Sequence, residues 1–162
     1  SALKIVRIRM VKFVITFVIS VLTNVALAQD IDDHKQSINE ATQALDVFMV
    51  AFNARDPEAW AASLNYPHVR FASGTVTVWN SAREFAENAR SRSFVVLPRS
   101  GWDHSDWLTR EVTLASENKV HLTTTFQRFN SANEVIGTYS SLYIVTRIDG
   151  HWGTQARSSL AP

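Results

Sequence analysis

The stretch GWDHSDW, residues 101–107, combines two indole rings with a histidine, two carboxylates and a hydroxyl. Histidine titrates near neutral pH, so His104 is a candidate for general acid–base catalysis. If the stretch is extended, Trp102, His104 and Asp106 lie on one face, and the Cβ atoms of His104 and Asp106 are roughly 6–7 Å apart. That separation is too long for an easy direct hydrogen bond. His104 is therefore predicted either as a catalytic residue that reaches a bound ligand or water, or as part of a pocket wall.

A second histidine, His68, lies in YPHVRF at the start of a predicted strand. Strand alternation places Tyr66, His68 and Arg70 on one face, with Val69 and Phe71 on the other. One interpretation makes His68 a catalytic acid or base at a pocket rim, where Tyr66 contacts the ligand. The other makes it a histidine that hydrogen-bonds to the backbone where a loop meets the strand.

Arg157, in TQARSS near the end of the chain, is a candidate anion-binding residue. An arginine on a central strand is costly to bury unless it is paired. It can bind a ligand carboxylate through the fork of its N–H donors. It can equally form a structural ion pair with an acid such as Asp103 or Asp106.

Tyr139 and Tyr143 share a strand face in GTYSSLYIV. Their hydroxyls can donate to an oxyanion and their rings can stack on a ligand, or both can be core residues with hydrated hydroxyls. The predicted ligand-contacting residues are Trp102, Tyr66, Tyr139, Tyr143 and Arg157.

Composition excludes several classes of site. The chain has no cysteine, so it has no disulfide, thiolate metal site or cysteine nucleophile. Its five histidines lack the short spacing of a metal site. No glycine-rich phosphate loop and no G-x-S-x-G motif is present. We therefore predict neither a metal nor a cofactor.

The beginning of the sequence has the pattern of a secretory signal. Basic residues precede an uncharged run over 13–29, which contains the small-x-small pattern at 26–28. We expect residues 1–28 to be a cleavable signal peptide, with Met10 as a possible true start. The alternative is a permanent membrane anchor, although the apolar core is short for a span of about 20 residues. The expected product is a domain over 29–162, periplasmic or secreted, with no membrane span after processing.

The charge of that domain argues against one class of partner. Four basic residues and no acidic residue fall within 1–29, which leaves 12 basic and 15 acidic residues in the remainder. A mildly acidic domain lacks the positive footprint that binds a phosphate backbone. We expect no nucleic-acid partner.

The elements that must position these side chains begin with helices. Apolar residues recur at spacings of three and four over 38–52, which predicts one face of a long helix. Asp56 and Pro57 have the types favoured at the N-cap and first position of a second, short helix. Asn80 or Ser81 is predicted to cap a third.

The rest of the chain is predicted to be mostly strand. Two short strands flank the turn at 73–74, and a long meander runs from about Trp102 through turns at 117–118, 130–133 and 149–150. Helices gathered ahead of antiparallel strands predict an α+β fold. The sheet is expected to curve strongly and to wrap around the long first helix.

This order of elements, with YPHVRF, GWDHS, GTYSSLYIV and HWGTQARSS, resembles the NTF2-like superfamily over residues 35–162. More narrowly it resembles SnoaL-like, ketosteroid-isomerase-like bacterial proteins of unassigned function. The resemblance implies a cone-shaped domain that holds a small hydrophobic ligand, and a homodimer formed by its sheets. The superfamily includes isomerases, dehydratases, epoxide hydrolases and non-enzymatic subunits, so the fold alone assigns no activity. None of its catalytic sets maps onto this sequence residue by residue.

Three functional hypotheses follow. The leading one is an exported domain that binds a small, largely apolar molecule in its cone. The second is a cofactor-independent isomerase, dehydratase or epoxide-hydrolase-like enzyme that uses histidine-based acid–base chemistry. The third is a non-catalytic dimerisation or accessory module. A cavity shared by His68 and His104, with an acid within hydrogen-bond reach, would favour the enzyme, and a dry, apolar cavity would favour binding.

Overall fold

A computed structural model describes residues 34–72 and 74–161, and residues 36–161 belong to one compact unit. The predicted signal peptide over 1–28 and the possible start at Met10 lie outside the described residues. None of the described helices is long and apolar enough to cross a membrane.

Helices occupy the first part of the described chain and the segment after the second strand. The α-helices are α1 (Lys35–Asn53), α2 (Pro57–Ala62), α3 (Ala82–Asn88) and the short α4 (Phe94–Val96). A π-helical turn, Ala89–Ser93, joins α3 to α4, and a 3₁₀ turn, Leu97–Ser100, follows. The apolar face predicted over 38–52 is confirmed, since Ala41, Leu45, Phe48 and Phe52 are all buried.

The predicted caps also form. The carboxylate of Asp56 accepts the N–H of Ala59 at 2.9 Å at the start of α2. Ser81, rather than Asn80, caps α3, with its Oγ accepting the N–H of Glu84 at 3.3 Å. The Glu84 carboxylate in turn accepts the N–H of Asn80 at 2.7 Å. This reciprocal arrangement satisfies two backbone donors that the helix itself cannot pair.

We expect Asp56→Ala to lower the free energy of unfolding by about 1 kcal/mol, because it removes the acceptor at the N-terminus of α2. Urea denaturation monitored by circular dichroism measures this change. Asp56→Asn retains a capping oxygen and is the matched control. Equal losses in the two variants would contradict a capping role.

Six strands form one sheet. They are β1 (Leu64–Ala72), β2 (Thr75–Trp79), β3 (His104–Ser116), β4 (Lys119–Phe129), β5 (Val135–Ile148) and β6 (His151–Ser159). Their order across the sheet is β2-β1-β6-β5-β4-β3. All neighbours are antiparallel except β1 and β6, which are parallel. The predicted α+β fold with a mostly antiparallel sheet is confirmed, while the parallel pair was not predicted.

One face of the sheet packs against α1 and α2 through an aromatic cluster. The ring centroids of Phe48 and Trp60 are 5.7 Å apart, and those of Phe52 and Trp60 are 4.8 Å apart. Tyr143 on β5 packs its ring edge-on against Phe48 at 5.7 Å. The helices therefore cover the inner face of the sheet with aromatic rings.

The opposite face of β1 and β2 is exposed. Phe71 is the register partner of Val76, and Val69 is the partner of Val78. The side chains of Phe71, Val76 and Val78 are each about half exposed. The predicted homodimer stays a prediction, because a single chain does not show what covers this surface.

Candidate functional site

A cavity of about 340 Å³ lies between the inner face of the sheet, the helices α1 and α2, and the segment that follows α3. Its apolar wall consists mainly of Phe48, Phe52, Trp60, Phe126 and Tyr143. The polar groups include four arginines, namely Arg70, Arg92, Arg128 and Arg157. None of the described residues that line it carries a carboxylate.

Strand register arranges the inner polar groups in a row. Arg70 on β1 is the direct partner of Thr77 on β2 and of Arg157 on β6. Arg157 is in turn the partner of Tyr143 on β5. All four residues line the cavity. Two guanidinium groups therefore project from adjacent strands at the same level of the sheet.

The Nε–H groups of three cavity arginines lack hydrogen-bond partners. The Nε atoms of Arg70, Arg128 and Arg157 are buried and contact no acceptor among the described residues. Arg128 is also largely enclosed, with only 9% of its surface exposed. A buried guanidinium without an acceptor is unfavourable, because transfer from water removes its hydration without replacing it.

Aromatic rings hold two of these guanidinium groups. The Cζ atom of Arg157 lies 5.4 Å from the centroid of Phe48 and 5.5 Å from that of Trp60. The Cζ atom of Arg128 lies 4.9 Å from the centroid of Tyr139. Cation–π contacts attract the charge to the ring face but accept none of the in-plane N–H bonds. Both arginines are thus positioned with an Nε–H donor that has no acceptor among the described residues.

Burial changes the pKa values of two of the cavity arginines. Burial, with a smaller contribution from the charge of Arg157, lowers the pKa of Arg70 to about 10. Burial also lowers the pKa of Arg128. A pKa of about 10 keeps Arg70 protonated at neutral pH, so the cavity concentrates positive charge in a low-dielectric setting.

Most arginines outside the cavity differ from the cavity arginines in that they form ion pairs with carboxylates. Each of five arginines outside the cavity lies within 4.0 Å of a carboxylate, in the pairs Arg55–Asp103, Arg83–Glu87, Arg90–Glu58, Arg110–Asp46 and Arg147–Glu117. None of the four cavity arginines forms an ion pair with a described residue. Five of the six described arginines outside the cavity thus have an acidic neighbour, with Arg99 the exception, whereas none of the four that line the cavity has one.

Comparison with known proteins identifies the family. Residues 39–157, well over half of the chain, match the profile of the family described as NTF2-like protein (DUF6841). The chain belongs to this NTF2-like family. No curated protein sequence matches it.

Solved structures agree with that fold. An NTF2-like protein with a cystatin-like fold from Novosphingobium aromaticivorans is 13% identical with a TM-score of 0.62, over 86% of this chain and 88% of that chain. An NTF-2 like protein of unknown function from Shewanella oneidensis is 15% identical with a TM-score of 0.60, over 77% and 99%. A ketosteroid isomerase-like protein from Erwinia carotovora atroseptica is 20% identical with a TM-score of 0.56, over 76% and 96%. At these identities the likeness establishes the fold alone.

In this NTF2-like protein His68 is fully buried beside the cavity rather than on its wall. Its Nδ1 donates to the carbonyl oxygen of Thr154 at 3.0 Å, and its ring stacks on Trp79 with centroids 5.8 Å apart. Burial, together with the charge of Arg157, lowers the pKa of His68 to about 3. The residue is thus neutral at physiological pH, with the backbone hydrogen bond of the second interpretation.

His104 lies near the surface, away from the described lining of the cavity. Its Nδ1 donates to the carboxylate of Asp103 at 3.1 Å, and its ring stacks on Phe129 at 4.9 Å. Asp103 also pairs with Arg55. The ion pair considered between Arg157 and Asp103 or Asp106 is therefore absent from the described residues, and His104 and His68 do not share the cavity.

The alternation predicted over residues 102–107 needs one correction. Strand β3 begins at His104, so Trp102 precedes it, just after Gly101 at a φ of 83°. The Nε1–H of Trp102 donates to Oγ of Ser105 at 2.9 Å, and both residues are buried. Trp102 therefore lies on the inner side with Ser105 and not on the side of His104.

The predicted ligand contacts divide between the cavity and its surroundings. Arg157 and Tyr143 line the cavity. Tyr139 lies under Arg128, and Trp102 packs against Phe52 with ring centroids 4.8 Å apart. The hydroxyl of Tyr66 donates to the carbonyl of Ala61 at 2.8 Å, and burial raises the pKa of this phenol.

Sequence reasoning did not select Arg70, Arg92 or Arg128 as site residues. The sequence pattern does indicate that Arg128 is buried, because Arg128 continues the inward alternation of Val120, Leu122 and Phe126 along β4. An arginine in the apolar register of a strand indicates a buried charge that needs a partner. No group of three His, Asp or Glu side chains in the described part of the chain is arranged to bind a metal ion.

Proposed function

We propose that this NTF2-like protein binds a small organic anion in its cavity. The anionic group, of the carboxylate type, engages Arg70 and Arg157, and an apolar body packs on the aromatic wall. The observation that carries the proposal is the buried, acceptor-free Nε of each inward arginine in a cavity without acidic lining.

Geometry favours a planar anion. Arg70 and Arg157 are register partners on neighbouring strands. A carboxylate has two oxygens and can accept parallel N–H bonds from a guanidinium, which a single uncharged acceptor cannot do. Charge-assisted bonds to partly buried guanidinium groups are stronger than those at the surface. The ligand therefore supplies the acceptors that the protein does not.

The proposal refines the expectation of a largely apolar ligand. The main part of the ligand is still expected to be apolar, because Phe48, Phe52 and Trp60 form the cavity wall opposite the sheet. One end of the ligand is expected to be charged, because the cavity arginines form no ion pair with a described residue. Acid–base catalysis by His68 or His104 is not part of the proposal, since neither lines the cavity.

The direct test compares 3-phenylpropionate with 3-phenylpropanamide, which share a skeleton and differ in charge. We expect the carboxylate to raise the melting temperature and to bind measurably by isothermal titration calorimetry, while the amide binds at least about tenfold more weakly. Equal binding of the two compounds, or no binding of either, would contradict the proposal.

A variant links this binding to the cavity. We expect Arg157→Gln to lower the affinity for 3-phenylpropionate at least about tenfold, because it removes one of the two paired guanidinium groups. Arg83→Gln is the matched control, since Arg83 is exposed and pairs with Glu87 on the surface of α3. The same loss in both variants would point to a general effect of charge and not to this site.

A further inference from the structure

The segment after α3 carries a cavity arginine that the pairing of Arg70 with Arg157 leaves unused. Phe85 on α3 and Ala89 at the start of the π-helical turn are buried, and Arg92 follows them at helical spacing. Arg92 lines the cavity, but its side chain is exposed. It therefore lies where the cavity meets solvent.

Two neighbouring arginines, Arg83 on α3 and Arg90 on the π-helical turn, differ from Arg92. Arg83 pairs with Glu87 and Arg90 pairs with Glu58, both on the outer surface. Arg92 makes no ion pair or side-chain hydrogen bond with a described residue. Its neighbours in the cavity wall include the uncharged polar residues Asn88 and Ser93. The π-helical turn that contains Arg92 is a rare backbone form that occurs frequently at functional sites.

The charges of the cavity exceed what one carboxylate can pair. Arg70 and Arg157 together can hold one anionic group. Arg128 has its guanidinium over the ring of Tyr139, which partly compensates its charge. Arg92 has neither a ring contact nor an acid, and it lies near enough to Arg70 for its charge to oppose protonation of that group.

We infer that the ligand carries two anionic groups, the inner one held by Arg70 and Arg157 and the outer one held by Arg92 at the mouth of the cavity. This inference rests on the proposed function and narrows its ligand class to dianions with an apolar spacer. Arg92 is then the residue that selects dianions over monoanions.

Two probes with the same ring test this selection. 1,4-Phenylenediacetate has a carboxylate at each end, whereas 4-methylphenylacetate has one carboxylate and a methyl group. We expect the wild-type protein to bind the dianion about tenfold more tightly by calorimetry at fixed ionic strength. We expect Arg92→Gln to reduce this ratio to about one, with an unchanged far-ultraviolet circular dichroism spectrum.

The control is Arg99→Gln, because Arg99 is exposed on the same segment and does not line the cavity. It should retain the tenfold ratio. A ratio near one in the wild-type protein, or a ratio that Arg92→Gln leaves unchanged, would overturn the role of Arg92 while leaving the proposed function intact. Failure of both probes to bind would overturn the two proposals together.

Discussion

Replacing Arg128 with methionine should make the ligand-free NTF2-like protein more stable, by on the order of 1–3 kcal/mol in the free energy of unfolding. Arg128 is 9% exposed, and its Nε has no acceptor among the described residues. Methionine removes the desolvated charge while retaining a flexible apolar chain that can pack on Tyr139. The lost cation–π contact offsets part of the gain.

Urea denaturation in a buffer without polyvalent anions measures this gain. Arg83→Met is the control and should change stability by no more than about 0.5 kcal/mol, because Arg83 is exposed. The same Arg128→Met protein should bind 3-phenylpropionate less tightly, since the cavity loses one positive charge. A less stable Arg128→Met protein would show that Arg128 supports the fold and would weaken the argument for anion binding.

A second large effect is the loss of stability in acid caused by His68. The folded-state pKa is about 3, and the ordinary value is about 6.5. Above pH 6.5 the imidazole is neutral in both states and adds no pH dependence. As the pH falls below 6.5 the unfolded chain binds a proton that the folded chain does not, so this group lowers the free energy of unfolding by up to about 1.4 kcal/mol per pH unit until about pH 3.

Urea denaturation at pH 7, 6, 5 and 4 measures this slope. We expect the wild-type protein to lose about 2 kcal/mol more than His68→Asn between pH 7 and pH 5. Asparagine is chosen because its amide N–H can take the place of the Nδ1 donor to Thr154. Equal slopes in the wild-type protein and His68→Asn would show that His68 accepts a proton in the folded state.

Patterns local to one helix or strand were sufficient for much of the fold. The apolar spacing over 38–52, the cap at Asp56 and the turn at 149–150 each depend on neighbouring residues, and each is found in the structure. The parallel pairing of β1 with β6 joins the first and the last strand along the described chain. No local pattern encodes such a pairing, so it was not predicted.

The candidate site was harder to predict from the sequence than the fold, because its residues are distant in the chain and become neighbours only in the folded structure. GWDHSDW suggested chemistry because its polar residues are adjacent in the chain, yet His104 and Trp102 lie on different sides of it. Arg70 and Arg157 are far apart in the chain and become neighbours only through strand register. Arg128 has an inward register that sequence alone can indicate, but its missing partner is visible only in three dimensions.

The parallel pairing of β1 and β6 also determines when the proposed binding site is complete during synthesis and folding. β1 is the first strand of the described sheet to leave the ribosome and β6 is the last. Contacts between distant parts of a chain form slowly, because closing the intervening loop reduces its entropy. Bringing β6 beside β1 also places two like charges together, which an anion in solution can screen or bridge. The cavity is therefore incomplete until β6 docks beside β1, and an anion that fits the cavity should favour that docking.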